Sequence, residues 1–418
     1  MRPVLMSILA PETGTLIMQR VEELALISES SKGLTRRFAT PEHRRANQLA
    51  AHWMELADMQ VHEDAIGNVI GRYEGDDPSA PAIMLGSHLD TVVMAGKYDG
   101  MLGVLSGLAC VEYLAANNIR LPYAIEVIAF ADEEGVRYQS TFLGSRAVTG
   151  EFETAMLDRK DKDGISMKDA LVAFGKDPSQ LSTAIRKPGS LAAFLEVHIE
   201  QGPVLEQQGL GVGVVSAIAG ATRMIATITG EAGHAGTVPM TLRRDALAAA
   251  AECILTIERV CTGPADLVGT VGRIVADPGA GNVISGQTEF SIDIRAANDD
   301  RRLQAVADVI NELKQVCANR QLQIHIEEVH NASSVECDTQ LRRHLVDAVE
   351  SCGVRALELT SGAGHDTMVM AHVAPAGLIF VRCAGGISHN PAESITASDA
   401  ALGAEVMMQT VLNFSKQQ

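Results

Sequence analysis

Two periodicities alternate along this chain. From Thr13 to Ser28 and from Pro41 to Met59 apolar residues recur every three to four positions with charge on the opposite face, predicting two opening helices. Val61 to Tyr73 alternates with period two around Gly67-Asn68, the pattern of a hairpin. Continuous apolar runs follow at Ile83 to Leu85, Ala124 to Ala131, Leu191 to Val197 and Ala376 to Arg382, and such runs suit strands covered on both faces. Between and after them, helical spacing predicts Met101 to Ala116, Phe142 to Val148, Met167 to Phe174, Thr339 to Ser351 and Ser398 to Leu412.

Beyond Ser216 the pattern changes. Met224 to Gly230 reads as a strand, Thr241 to Cys261 as a helix, Leu267 to Val275 and Thr288 to Ala296 as strands, Asp299 to Arg320 as a helix and Leu322 to Val329 as a strand. That β-α-β-β-α-β order is ferredoxin-like and stands inside the surrounding α/β pattern as an insertion. The expected organisation is 1–216 as the first part of a catalytic domain, 217–333 as an inserted domain and 334–418 as the second part. The expected fold class is mixed-sheet α/β.

At 418 residues and 46% hydrophobic content the chain can bury two cores. Its 34 basic against 52 acidic residues leave a net charge of −18, which argues against a nucleic-acid or anionic membrane surface. Seven scattered cysteines without a C-x-x-C pair suit reduced thiols and a cytoplasmic location. Met1 to Ala10 carries one basic residue and a short apolar run, but polar sequence follows at once, so no secretory leader is expected.

Polar residues crown the predicted strands. His88 and Asp90, after the Ile83 run, point the same way if strand alternation persists, so Asp90 can accept the imidazole N–H that a metal leaves free. Asp99 follows between Gly96 and Gly100, Glu133 and Glu134 end the Ala124 run, His198 ends the Leu191 run, and His389 lies on a glycine-flanked loop. Together they offer histidines and carboxylates suited to two divalent cations, Zn²⁺ or Mn²⁺, bridged by Asp99. Adjacent acids on a regular strand cannot face one ion together, so Glu134 is read as the ligand and Glu133 as the general base.

The motifs Gly86-Ser87-His88-Leu89-Asp90-Thr91, Asp132-Glu133-Glu134-Gly135, Glu196-Val197-His198-Ile199-Glu200-Gln201-Gly202-Pro203, Gly233-His234-Ala235-Gly236 and Gly386-Ile387-Ser388-His389-Asn390-Pro391 resemble those of the two-metal amidohydrolases of ureido compounds. That group includes N-carbamoyl-L-amino acid hydrolases, β-ureidopropionases and allantoate amidohydrolases, and is akin to co-catalytic zinc metallopeptidases. The stretches around Asp99, Glu133 and Arg382 are most similar to plant-type allantoate amidohydrolases. The resemblance implies that His88, Asp99, Glu134, His198 and His389 hold the metals. It also implies that the insertion is a lid and homodimerisation domain, bringing His234 of one subunit to the oxyanion formed on the other.

A ureido acid is anionic, and Arg295 matches the family's carboxylate clamp. Asn282 and Gln201 carry amides able to read a ureido group, and the loop containing Gly364 and His365 can offer backbone N–H groups. The expected activity is conversion of allantoate and water to ureidoglycine, ammonia and carbon dioxide. The alternative is N-carbamoyl-L-amino acid or β-ureidopropionate hydrolysis; remoter readings are a peptidase and a metal-binding relative without turnover.

Overall fold

The computed structural model describes residues 7–263 and 266–414. The first six positions of the Met1 to Ala10 reading lie outside the described residues. Among those described, no helix is long and apolar enough to cross a membrane.

The chain forms two compact units: 1–216, 337–359 and 364–418 make the larger, and 217–336 with 360–363 the smaller. The pattern placed the return at 334 and did not assign the tetrapeptide 360–363 to the insertion.

The larger unit is built on a mixed sheet. Its central strands run in the order Ile125–Phe130, Ala82–His88, Leu191–Ile199 and Ala376–Val381, all parallel to their neighbours. Val69–Tyr73, itself paired with Gln60–Glu63, adds antiparallel to one side, and Val212–Ile218 adds antiparallel to the other. Every residue of Ile125–Phe130, Ala82–His88 and Ala376–Val381 is buried, as their unbroken apolar runs require. Helices Thr13–Ala25, Met101–Ala116 and Ala397–Phe414 help close the core. Met101–Ala116 packs on Ala82–His88, and a Cβ at Gly103 would run into the Val197 carbonyl and Ser87, so glycine there sets the close approach. Parallel strands put all their carboxyl ends on one edge, which is where His88, Glu133, Glu134, His198 and His389 fall.

In the smaller unit Gly220–Thr229 pairs with both Gln287–Ala296 and Gln323–Ala332. Helices Ala246–Cys261 and Asp299–Asn319 cover one face through Met224, Ile228, Phe290, Ile292, Cys253, Ile257, Val309 and Leu313. The ferredoxin-like order holds, with one correction: the strand expected over Leu267 to Val275 is broken into Leu267–Thr270 and Ile274–Asp277, each pairing a different part of Gln287–Ala296. Likewise the helix expected from Thr241 starts at Ala246, because the Asp245 carboxylate accepts the Leu247 and Ala248 N–H groups and caps it there. Val212–Ile218 and the short strands Gly233–His234, Val283–Ile284, Val335–Glu336 and Glu358–Ser361 were not anticipated.

Candidate metal centre

His88 is the last residue of its strand and is buried, while His198 lies within Leu191–Ile199, one residue further into the ladder than its run suggested. Each ring is oriented by backbone. His88 Nδ1 is 3.0 Å from the Asp90 carbonyl oxygen and His198 Nδ1 2.9 Å from that of Ile199, so Nδ1 is the donor and Nε2 carries the lone pair. His198 Nε2 also accepts the Gly100 N–H at 3.3 Å.

Both Nε2 atoms face the same carboxylate oxygen. Asp99 Oδ1 is 3.3 Å from His88 Nε2 and 3.1 Å from His198 Nε2, and Asp99 Oδ2 is 3.3 Å from His389 Nε2. His389 Nε2 in turn lies 3.6 Å from Glu134 Oε1. Lone pairs facing lone pairs at such distances call for positive charge between them, which a bound cation or a proton on the ring can supply. Three groups among the described residues bring their donor atoms within 4.8 Å of one another: His88, Glu133 and Glu134, and the two that share Asp99, namely His88, Asp99 and His198, and Asp99, Glu134 and His389. Asp99 turns one oxygen to each of the last two. The nitrogen and carboxylate donor set suits a divalent metal ion.

The electrostatics agree. Burial works against ionisation of Asp99, yet His198, His389 and His88 hold its pKa well below the usual carboxylate range. Burial would lower His88, but Asp90 and Asp99 raise it well above the usual imidazole value, and contact with Asp99 lifts His389 to about 9. Burial and the neighbouring Asp99 push Glu134 up to about 7, and burial pushes Glu133 well up as well.

Two expectations need correction. Glu133 and Glu134 do not lie on a regular strand, since Ile125–Phe130 ends before them. In the turn that follows both carboxylates converge with His88, so adjacency alone does not separate their roles. Asp90 Oδ1 is 3.4 Å from His88 Nδ1, but the shorter contact is with the Asp90 backbone; its two carboxylate oxygens accept the N–H groups of Glu133 and Glu134 at 3.0 and 3.2 Å. Asp90 therefore orients the acidic turn as well as the ring.

Gln201, held at a positive φ of 56°, donates its amide to Asp99 Oδ2 at 2.8 Å and to Ser388 Oγ at 3.1 Å, while its Oε1 is buried with no hydrogen-bond partner. His365 is buried with its ring 4.5 Å from that of His198, and burial and the His198 charge keep it well below the usual imidazole pKa. Gly364 packs beside Phe142. The sequence reading passed over Glu196, which accepts Ser87 Oγ at 2.6 Å and the Thr367 N–H and hydroxyl, and Glu393, which accepts the Tyr98 and Asp99 N–H groups. An acid buried inside an otherwise apolar strand, as Glu196 is, was the available signal.

His234, Asn282 and Arg295 belong to the smaller unit. Gly233–His234 pairs with Val283–Ile284, and the Ala235 N–H donates to the Asn282 carbonyl at 2.9 Å, which brings His234 beside Asn282. His234 Nδ1 accepts the Gly236 N–H at 3.0 Å, and the residue is exposed. Arg295 is held by Asp293 through Nε and Nη2 and donates to the Gly362 carbonyl at 2.7 Å.

A mixed α/β sheet carrying a metal-ligand cluster at its carboxyl edge defines the class as metal-dependent hydrolases. Within it, the chain belongs to peptidase family M20/M25/M40, whose pattern matches residues 84–413. It is 42% identical over 411 residues to an allantoate deiminase of Arabidopsis thaliana, covering 91% of this chain and 78% of that one. It is 41% identical over 399 residues to an N-carbamoyl-L-amino acid amidohydrolase of Geobacillus stearothermophilus, covering 95% and 98%. A crystal structure of a hydantoinase/carbamoylase family amidase from Burkholderia multivorans superposes with a TM-score of 0.91 at 32% identity, over 96% of this chain and 97% of that one.

Proposed function

We propose that the protein is an allantoate amidohydrolase that uses two divalent metal ions, zinc or manganese, to hydrolyse a ureido C–N bond, giving ureidoglycine, ammonia and carbon dioxide. The observation that carries the chemistry is Asp99, one carboxylate shared by two ligand groups. The likeness to allantoate deiminase supports the substrate.

His88, Asp99 and His198 would hold one ion, and Asp99, Glu134 and His389 the other. When bound, the pair supplies Lewis acidity for the ureido carbonyl and lowers the pKa of a water molecule. Glu133 accepts the proton from the attacking water and delivers it to the leaving nitrogen; its buried, raised carboxyl suits that transfer at neutral pH. Gln201, through its unpartnered Oε1, and Asn282 read ureido N–H groups, while Arg295 pairs with the substrate carboxylate, exchanging Asp293 for it. Gly364 and His365 line the carboxylate side. The smaller unit acts as the lid and dimerisation domain of a homodimer, and His234 donates from Nε2 to the developing oxyanion on the partner subunit. The compartment is the cytoplasm.

A second reading, N-carbamoyl-L-amino acid hydrolysis, is favoured by the nearly complete overlap with the Geobacillus enzyme. Ammonia release measured side by side from allantoate and from a panel of N-carbamoyl amino acids decides between them. Higher kcat/KM on allantoate is expected; a preference for an N-carbamoyl amino acid assigns the second reading.

A further inference from the structure

Glu393 lies four residues beyond His389, just before the helix Ala397–Phe414, and only 4% of it is exposed. Its Oε1 accepts the Tyr98 N–H at 2.9 Å and the Asp99 N–H at 3.2 Å. Its Oε2 accepts the Ser388 hydroxyl at 3.0 Å, and that hydroxyl also stands 3.1 Å from Asp99 Oδ2. One buried carboxylate thus joins two segments 294 positions apart, one presenting Asp99 and the other presenting His389. The fit is close. A Cβ at Gly96 would overlap the Glu393 carboxyl group, so glycine at 96 makes room for it. Glu393 is a member of none of the ligand groups.

The two groups that share Asp99 differ in what holds their ligands. His88 and His198 sit on central strands whose hydrogen-bond ladders fix them. Asp99 and His389 lie on loops, and His389 has a positive φ of 54° and a side chain half exposed to solvent. A clamp between those loops governs the Asp99, Glu134, His389 group far more than the strand-held one.

We infer that Glu393 is a positioning residue for the second cation subsite, clamping the Asp99 and His389 loops into register without touching the ion. The inference rests on the two-metal hydrolase reading above and deepens it. Such supporting residues are worth about 10–100-fold in metal affinity.

The test is titration of Zn²⁺ into chelator-treated protein, with a chromophoric chelator as competitor, reading the number of equivalents and both dissociation constants. The parent should take up two equivalents. Glu393→Ala should weaken the second about 10–100-fold and the first, which shares Asp99 but keeps its strand-held histidines, far less. Glu393→Gln, which keeps an acceptor for the two N–H groups, should restore most of that affinity. Gly96→Ala, whose new Cβ would meet both the carboxyl group and the Cβ of Glu393, should weaken the second equivalent by displacing that side chain. Equal affinities in parent and Glu393→Ala, equal weakening of both equivalents, or an unaffected Gly96→Ala would each overturn the inference. Should Glu393→Ala not fold, Ser388→Ala, which removes the hydroxyl standing between Glu393, Asp99 and Gln201, carries the test with the same expected direction, and unchanged binding there also overturns it. No substrate is present in the titration, so its outcome is independent of whether allantoate is turned over. A parent that binds one equivalent defeats the two-metal reading and the inference together.

Discussion

Glu133 and Glu134 are chemically alike and adjacent, and their separate roles come from what surrounds each. Glu134 lies beside His389 and Asp99 in a group that shares Asp99, whereas Glu133 joins only the group of His88 and Glu134, which Asp99 does not enter. Replacing the base by its amide keeps the shape and removes proton transfer. Glu133→Gln should lower kcat about 10²–10⁴-fold, in the range found for general acid–base groups. Its metal content by elemental analysis should stay at the parent level, and a loss of metal would make Glu133 a ligand instead. The same residue-scale logic explains why His88 was legible: a histidine at the abrupt end of an apolar run has few structural reasons to be there. Glu393 was not legible, because its neighbours in sequence, Ala392 and Ser394, say nothing of Tyr98 and Asp99.

The helix Pro41–Leu56 shows an element that depends on one protonation state. Thr40 caps it by accepting the His43 N–H, and His43 Nδ1 accepts the Ala39 N–H at 3.1 Å, so the ring must be neutral to hold the entry of the helix. Burial, aided by the Arg36 charge and opposed by Asp90, lowers the His43 pKa to about 4. The unfolded chain takes up this proton near 6.5 and the folded chain only near 4. The contribution of His43 is therefore complete above pH 6.5 and declines on acidification toward 4, by about 1.4 kcal/mol per pH unit and about 3 kcal/mol in all. Urea midpoints of the parent should fall across that window more steeply than those of His43→Leu, and parallel curves would refute the assignment. Elements of this kind were readable as helices from apolar spacing, with Pro41 marking the start. The broken edge Leu267–Thr270 and Ile274–Asp277 was not, because a strand keeps its alternation on both sides of an interruption.

At the scale of the whole molecule, three histidines and two carboxylates from five separate segments are gathered at one sheet edge, with most of their donor atoms buried. Without a cation, like lone pairs oppose one another, so metal binding should contribute to folding stability. Excess chelator should lower the melting temperature, and added Zn²⁺ or Mn²⁺ should restore it. At a hundredfold excess over Kd a single ion supplies about 2.7 kcal/mol, which calorimetry resolves easily. A melting curve indifferent to chelator would remove the metal centre from the account of this protein. Net charge contributes to the same picture, since a chain at −18 attracts cations over its whole surface but can hold one tightly only where carboxylates and imidazoles converge.

By itself the sequence determined the mixed-sheet α/β class, the buried core strands, the ferredoxin-like order of the insertion and the list of candidate metal ligands. Each follows from local pattern: covered strands are apolar throughout, amphipathic helices repeat every three to four residues, and polar groups collect at strand ends. Only the tertiary structure decided that Asp99 turns one oxygen to each ligand group, that Asp90 anchors the acidic turn through backbone N–H groups, and that Gln201, Ser388 and Glu393 brace Asp99. Those contacts join groups from 43 to 294 positions apart, and periodicity along a chain carries no information about which of its distant loops will meet.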